Sequence, residues 1–370
     1  MSESGEMVLS LAGPDDNADV LRLLRDNPME GEQFKLALTR ESDFSHASAT
    51  TGDRHQTLLI RVDGKAALIG ERSSQMVWLN GEQKRLGYYS QARVDPAFRG
   101  GKMLLQGFAF QRQLHDEDPL PLYLTTIVEG NQAAMRALTK ERPGKPTYVP
   151  FSTLCTLAIP APRIRKVEQP NGVILRRARK DQLEEIADCL QRNLQRYQFA
   201  PCWTAESLSN RCRDLKAEDF LVALRDGRIV GTMATWDQRN FKQTIVHDYA
   251  PTLGRLRPAV NLFAQYLPLP HLPPPGQELR HAYLSHIAVD DDDRKVFRAL
   301  LAESLNNSVG RGYSYLTLGL DTRNPLLGVA KTSFFHFAYR SQLFLVHWAE
   351  DKAAAQAVDS RIPQLELAIL

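Results

Sequence analysis

The chain states one structural unit twice, and this repeat constrains its fold more than any single motif. Residues 7–26, MVLSLAGPDDNADVLRLLRD, read as a short strand and then an amphipathic helix. Val20, Leu21, Leu23 and Leu24 recur at helical spacing behind an acidic first turn. Residues 172–193, GVILRRARKDQLEEIADCLQRN, repeat that pattern with Leu183, Ile186 and Leu190. Each half continues into a hairpin with an Asp-Gly turn, LLIRVDGKAALIG and FLVALRDGRIVGTM. Each then reaches a strand ending in Val-Asp (Val94-Asp95, Val289-Asp290), a helix, and a strand ending in Asn (LYLTTIVEGN, YLTLGLDTRN). The spacing between equivalent residues lengthens between hairpin and strand end, so the second half carries an insertion near 247–283.

The stretch AIPAPRIRKVEQPNG divides the copies, which predicts domains over 1–160 and 173–370 with a linker at 161–172. The insertion holds seven prolines (251, 258, 268, 270, 273, 274, 275), which argue against helix or central strand; AVNLFAQYL is its one candidate for a short helix. A surface excursion or dimer contact is the simpler account of it, and a lid over a substrate cleft is the functional one.

Composition narrows the function classes. The 370 residues are 43% hydrophobic and 24% charged, with a net charge of +3, which gives no footprint for nucleic acid. Cys155, Cys189, Cys202 and Cys212 form no C-x-x-C pair and have no histidine at zinc-ligand spacing, so reduced thiols and no metal are expected. No membrane-length apolar stretch and no signal peptide are legible, which predicts a cytoplasmic protein.

Residues 92–108, ARVDPAFRGGKMLLQGF, place Arg99-Gly100-Gly101-Lys102 between a strand and a helix. The first N–H groups of a helix lack intrahelical partners and carry positive potential, so such a junction can seat an anion. Glycine lets a phosphate approach the backbone, and Arg99 and Lys102 add charge. An isolated R-G-G-K is more often a solvated turn.

Set within the repeat, VDPAFRGGKMLLQGF resembles the acetyl-CoA pyrophosphate loop of the GNAT superfamily of N-acetyltransferases. LYLTTIVEGNQAAMRAL looks like that family's fifth strand and following helix, with Asn131 and Ala134 in the usual places, and PTYVPFSTLCTLAI like its closing strands. Lys102 and Leu104 fall where the motif has small residues, so Gly100-Gly101 would serve through a shorter loop.

The resemblance implies an α/β (α+β) fold of two GNAT-like domains in tandem, each a mixed, largely antiparallel sheet flanked by helices. It implies acetyl-CoA as co-substrate, held by Arg93, Val94, Arg99, Gly100, Gly101, Lys102, Met103 and Asn131, and a small-molecule or peptide amine as acceptor. An amine attacks the thioester only when neutral, so a base is needed. Glu129, Tyr88 and Tyr89 are the candidates. Leu138 stands where the family often has a tyrosine that protonates the leaving thiolate. The second half has Asp290-Asp291-Asp292-Asp293 at the pyrophosphate position, which opposes an anion and predicts a single donor site in the first half. A larger acyl or aminoacyl donor, or a non-catalytic acyl-CoA-binding or assembly module, are the rival readings, and a homodimer is compatible with all of them. His286 and His336 match no metal pattern, and Phe334, Phe335, Phe337 and Tyr339 read as core.

Overall fold

The computed structural model describes residues 6–31, 34–99, 103–160, 164–264 and 271–370. The first half runs β1 (Met7–Leu11), α1 (Asn17–Asp26), β2 (Met29–Glu30), β3 (Phe34–Thr39), α2 (Phe44–Ser48), β4 (Arg54–Val62), β5 (Lys65–Leu79), β6 (Glu82–Val94), α3 (Met103–Glu117), β7 (Tyr123–Val128), α4 (Gln132–Thr139) and β8 (Thr147–Pro160). The second half runs β9 (Ile174–Arg177), α5 (Leu183–Leu194), α6 (Ala205–Asn210), β10 (Phe220–Arg225) and β11 (Arg228–Trp236). It continues through β12 (Gln243–Tyr249), α7 (Pro251–Ala264), β13 (His281–Val289), α8 (Arg294–Ser308), β14 (Tyr315–Asp321), α9 (Pro325–Ser333), β15 (Phe337–His347) and α10 (Lys352–Gln356).

Local chemistry accounts for the matching elements. Asp63-Gly64 and Asp226-Gly227 both hold positive φ (49° and 75°, 51° and 80°), the turn that joins two twisted strands without splaying them. The apolar stripe of α1 buries Val20, Leu21, Leu23 and Leu24, and α5 buries Ile186 and Leu190 in the same way. Asn131 and Asn324 cap α4 and α9, each accepting a backbone N–H of the first turn.

Twelve strands form one sheet in the order β1-β4-β5-β6-β7-β15-β8-β14-β13-β11-β10-β9. The repeat is therefore not two closed sheets side by side. Strand β15, from the second half, pairs with β7 of the first (Ser341 with Val128 through Val346 with Tyr123). Strand β8, from the first half, pairs with β14 of the second (Leu154 with Asp321 through Pro160 with Tyr315). The two exchanged strands pair with each other at the centre. The segment 161–172 marks where the sequence repeats, while the sheet runs continuously through both copies.

The insertion differs from its expected form. Its opening residues complete β12, which pairs with β3 of the first half in a second sheet of order β12-β3-β2. A 14-residue helix, α7, follows. Pro251 sits at its first position, where no N–H is needed, and Pro258 lies inside it. Helix α7 buries none of its residues and exposes Leu256, Leu262 and Phe263. The aromatic cluster also corrects the sequence reading: Phe334 is buried, but Phe335, Phe337 and Tyr339 are 46%, 45% and 37% exposed. Among the described residues no helix is long and apolar enough to cross a membrane.

Candidate active site

The site is built where two parallel strands part. Strands β6 and β7 pair only at Gly87–Tyr123 and Tyr88–Leu124. Beyond that point β7 belongs to β15, and β6 stays on β5. A bulge drives the divergence: Gln91 has φ of +52° and the β5–β6 register slips between Ile69 and Glu71. The second edge of β6 beyond Tyr88 therefore faces a notch rather than a strand. Within the notch, the Thr125 hydroxyl donates to the Tyr89 carbonyl at 2.8 Å.

Gly87 permits the last close pairing before the notch. A Cβ there would lie 2.1 Å from Cδ1 of Tyr123. That ring stacks on Tyr89 with centroids 4.2 Å apart, and its hydroxyl is held by Arg72 and His115, so it has no room to move. Gly87→Val should lower stability by about 1–3 kcal/mol or more through overpacking, read as a lowered denaturation midpoint. Unchanged stability would mean that the strands can part earlier than they do here.

On the α4 side of the sheet, a cleft of about 240 Å³ lies between α3 and α4, with Val94, Met103 and Phe108 as apolar floor. Five cations line it: Arg99, Arg136, Lys140, Arg142 and Lys145. Among the described residues no carboxylate lines it. Arg99 is aimed by the Asn27 side-chain oxygen Oδ1 (3.0 Å) and the Val94 carbonyl (3.3 Å). The Lys145 ammonium donates to the carbonyls of Ala137, Leu138 and Lys140 at the end of α4, and burial pushes it down to about 8. Arg136 lies in the last turn of α4 and Lys140 caps its end, four residues on.

The candidate residues from the sequence separate here. Val94, Arg99 and Met103 line this cleft. Gly100, Gly101 and Lys102 lie outside the described residues. Asn131 spends its side chain on the α4 cap, accepting from Ala134 N–H at 3.0 Å. Arg93 folds back onto the Ala92 carbonyl and the Gln91 side chain, and burial followed by the nearby Arg40 pushes its guanidinium down to about 10. Glu129 is exposed, and the described contacts tie only its backbone, N–H to the Arg340 carbonyl at 2.9 Å.

Tyr88 and Tyr89 point to opposite faces, as neighbours in a strand must. The Tyr88 hydroxyl sits 2.7 Å from that of Thr126, and burial pushes it up to about 12. Tyr89 packs under α4 with Ala134, Met135 and Leu138, and burial raises its phenol too. Both phenols keep their protons at neutral pH. This argues against either phenol as the base at neutral pH, while the Tyr88 hydroxyl can still donate or accept a hydrogen bond with Thr126.

Two groups invisible to motif reading reach the opposite face from the second half. The Glu366 carboxylate accepts from His286 N–H (2.7 Å) and Ala368 N–H (3.2 Å). The Lys242 ammonium donates to the Ala368 carbonyl at 3.1 Å and to the main-chain oxygen of Leu370 at 3.0 Å. Burial pushes the Glu366 carboxyl up to about 7; burial and then Arg40 push Lys242 down to about 7.

The second half repeats the notch and fills it. Strands β13 and β14 pair only across His281–Tyr315 to Tyr283–Thr317. His286 has φ of +51° three residues before the strand end, as Gln91 has in the first half. The N–H of this bulge is taken by Glu366, and the start of α8 is capped by Asp293 through Lys295 and Val296 N–H. Asp290 is bound by Arg192 and Asn193, and Asp292 by Arg196 and Tyr197. Asp290 and Asp292 are thus tied into the fold by arginines.

His115, Glu350 and Asp351 offer ligand atoms within 4.8 Å of one another. Arg72 donates from Nε and Nη2 to the Tyr123 oxygen, which leaves the phenol to donate to His115 Nδ1. The proton of His115 then sits on Nε2, facing Asp351 at 3.4 Å, and Arg112 already holds Glu350. Burial pushes the His115 imidazole down, so it faces Asp351 as a neutral ring.

A parted pair of parallel strands, a bulge beside the opening and a cation-lined cleft under the following helix together decide the fold. The fold is that of the GCN5-related N-acetyltransferases. The structure is similar to a GCN5-related N-acetyltransferase from Sphaerobacter thermophilus (TM-score 0.55, 15% identity, 92% of this chain and 95% of that one). It is also similar to Saccharomyces cerevisiae N-myristoyltransferase with bound myristoyl-CoA (TM-score 0.60, 14% identity, 93% and 83%). A probable N-acyltransferase from Enterococcus faecalis matches with TM-score 0.51 at 9% identity, over 92% and 72%. No protein-family model and no curated protein matches the sequence. The GNAT likeness therefore rests on backbone geometry.

Proposed function

We propose that the protein is an acyl-CoA-dependent N-acyltransferase, with the donor held by the first half and an amine as acceptor. The observation that carries this reading is the meeting of the cation-lined cleft with the β6–β7 notch. Coenzyme A carries a diphosphate and a 3′-phosphate, and the cleft supplies cations without an opposing carboxylate among the described residues. Its pantetheine arm would extend from the cleft along the open edge of β6, as an added strand pairs with a sheet edge. A backbone N–H there would polarise the thioester carbonyl and stabilise the oxyanion that forms on attack.

Acetyl is the favoured acyl group. Leu86, Leu124, Leu154 and Leu343 pack together in the core beside the notch, which leaves little space for a long chain. Donation from Tyr88 to the leaving thiolate would compensate for Leu138 on α4.

Titration calorimetry with acetyl-CoA tests the reading. One site per chain is expected, because Asp293 and Glu366 occupy the corresponding positions of the second half. Arg142→Ala and Arg136→Ala should each weaken binding about 10- to 100-fold, the worth of one charge-assisted contact. Two equivalent sites, or binding indifferent to both substitutions, would overturn it.

A further inference from the structure

The face of the sheet opposite α4 carries a group suited to the acceptor's side of such a reaction. There a small pocket lies at the level where β6 and β7 part. Tyr88 and Leu124 line one wall, and Ser73, Ser74 and Gln75 of β5 lie beside them. The remaining wall is not made by the first half alone: Phe199, Leu365, Glu366 and Leu370 close it from the second. Among the described residues Glu366 brings the one carboxylate side chain to the lining. Two neutral groups of that lining, the Ser73 hydroxyl and the Gln75 carbonyl oxygen, are buried with no hydrogen-bond partner among the described residues. Buried polar atoms without partners are costly, and both of these can accept a hydrogen bond.

We propose that Glu366, Ser73 and Gln75 form the seat of the acceptor nitrogen, with Glu366 taking its proton; this rests on the acyltransferase reading above. A primary ammonium has three N–H donors, and the seat offers three acceptors. One ammonium proton passes to Glu366 and later to solvent. The freed lone pair forms the C–N bond, the C–S bond breaks, Tyr88 gives its proton to the thiolate as CoASH, and the second nitrogen proton restores Tyr88. The second half, its own notch filled, thereby supplies the base for the first.

The surroundings keep Glu366 titratable near neutrality. Burial raises its carboxyl, and the N–H groups of His286 and Ala368, with Arg211 and Lys242, draw it back to about 7. Of the other groups around it, the His286 imidazole is pushed by burial to about 3, and the Cys212 thiol and Tyr88 phenol to about 12. Lys242 is the other group that changes charge near neutral pH. Transfer should therefore show an acidic limb near pH 7, rising as Glu366 loses its proton.

The test follows CoA release from saturating acetyl-CoA with n-butylamine, and with N,N-dimethylbutylamine as control, in the full chain. Wild type should turn over the primary amine and not the tertiary one. Glu366→Gln, which can still accept a backbone N–H, should lower kcat 100-fold or more and abolish the limb, while acetyl-CoA affinity and melting temperature hold. Glu366→Asp should restore part of the rate. Ser73→Ala and Gln75→Leu should raise KM for the amine with kcat kept. Lys242→Met should keep the limb and move it upward, since a neighbouring cation is gone. A limb that survives Glu366→Gln, or that vanishes only in Lys242→Met, overturns the proposal. Acetyl-CoA binding without any primary-amine turnover also overturns it and leaves the donor site standing. Failure of wild type to bind acetyl-CoA removes the acyltransferase reading first.

Discussion

Residues 1–172 made alone should fail to fold, and residues 173–370 should fail with them. Each half lacks a strand that only the other provides. Without β15, strand β7 loses its partner from Tyr123 to Val128, and without β14 and β15 strand β8 has no neighbour on either edge. Leu122, Leu124, Leu157 and Ile159, all buried in the whole chain, would then meet water. Each fully buried aliphatic side chain contributes about 1.5–3 kcal/mol, so four of them already approach the whole stability of a domain. Two open sheet edges would add an aggregation hazard. Produced together, the pieces should assemble one to one, because the cut falls in the linker and leaves every strand intact. Circular dichroism and size-exclusion chromatography decide the matter: a monomeric 1–172 fragment with a cooperative unfolding transition would refute it.

That exchange could not be read from the sequence, although its ingredients could. Periodicity located α1 and α5, because both bury one face, and the Asp-Gly pairs located the hairpins, because positive φ demands such residues. Those signals are local. The partner of β8 is decided by how two similar edges meet, and a strand's alternating pattern carries no address; TYVPFSTLCTLAI would pair equally well with a strand of either half. The same limit hid Glu366. It lies outside every repeat-defining motif and gains its role by crossing to the other half's notch, where burial shifts its carboxyl. The cations at the end of α4 were more accessible, since Arg136 and Lys140 lie four residues apart next to a candidate phosphate loop. The proline count misled for a physical reason: Pro251 occupies a position that needs no N–H, so it permits the helix it was taken to forbid.

The largest effect of a single substitution should come from Arg40→Met. Arg40 follows β3 in the small sheet and reaches Glu71 on β5, with side chains 3% and 7% exposed. The guanidinium binds both carboxylate oxygens and the Ser48 hydroxyl (2.7 Å). Ser48 and Ser90 also donate to Glu71, at 2.9 and 3.2 Å, and Ser90 adjoins the Gln91 bulge. The pair thus locks the small sheet to the notch. Removing the cation leaves a buried carboxylate unpaired, at a cost of about 3–5 kcal/mol. The pH dependence gives the effect a signature. Burial pushes the Glu71 carboxyl up, but Arg40 and the two serines more than reverse this and hold it below its usual range. A depressed carboxyl contributes stability that is complete above its unfolded pKa of about 4.3 and lost as the pH falls through the folded value. In Arg40→Met the desolvation remains without the cation, so the folded value rises and stability is lost instead as the pH rises through it. The gap in melting temperature between variant and wild type should therefore be widest near pH 7 and shrink toward pH 5. Arg40→Met combined with Glu71→Leu should recover most of the loss, because an apolar pair of similar volume carries no buried charge. A gap independent of pH, or a double variant no better than the single one, would show that packing rather than charge holds this joint.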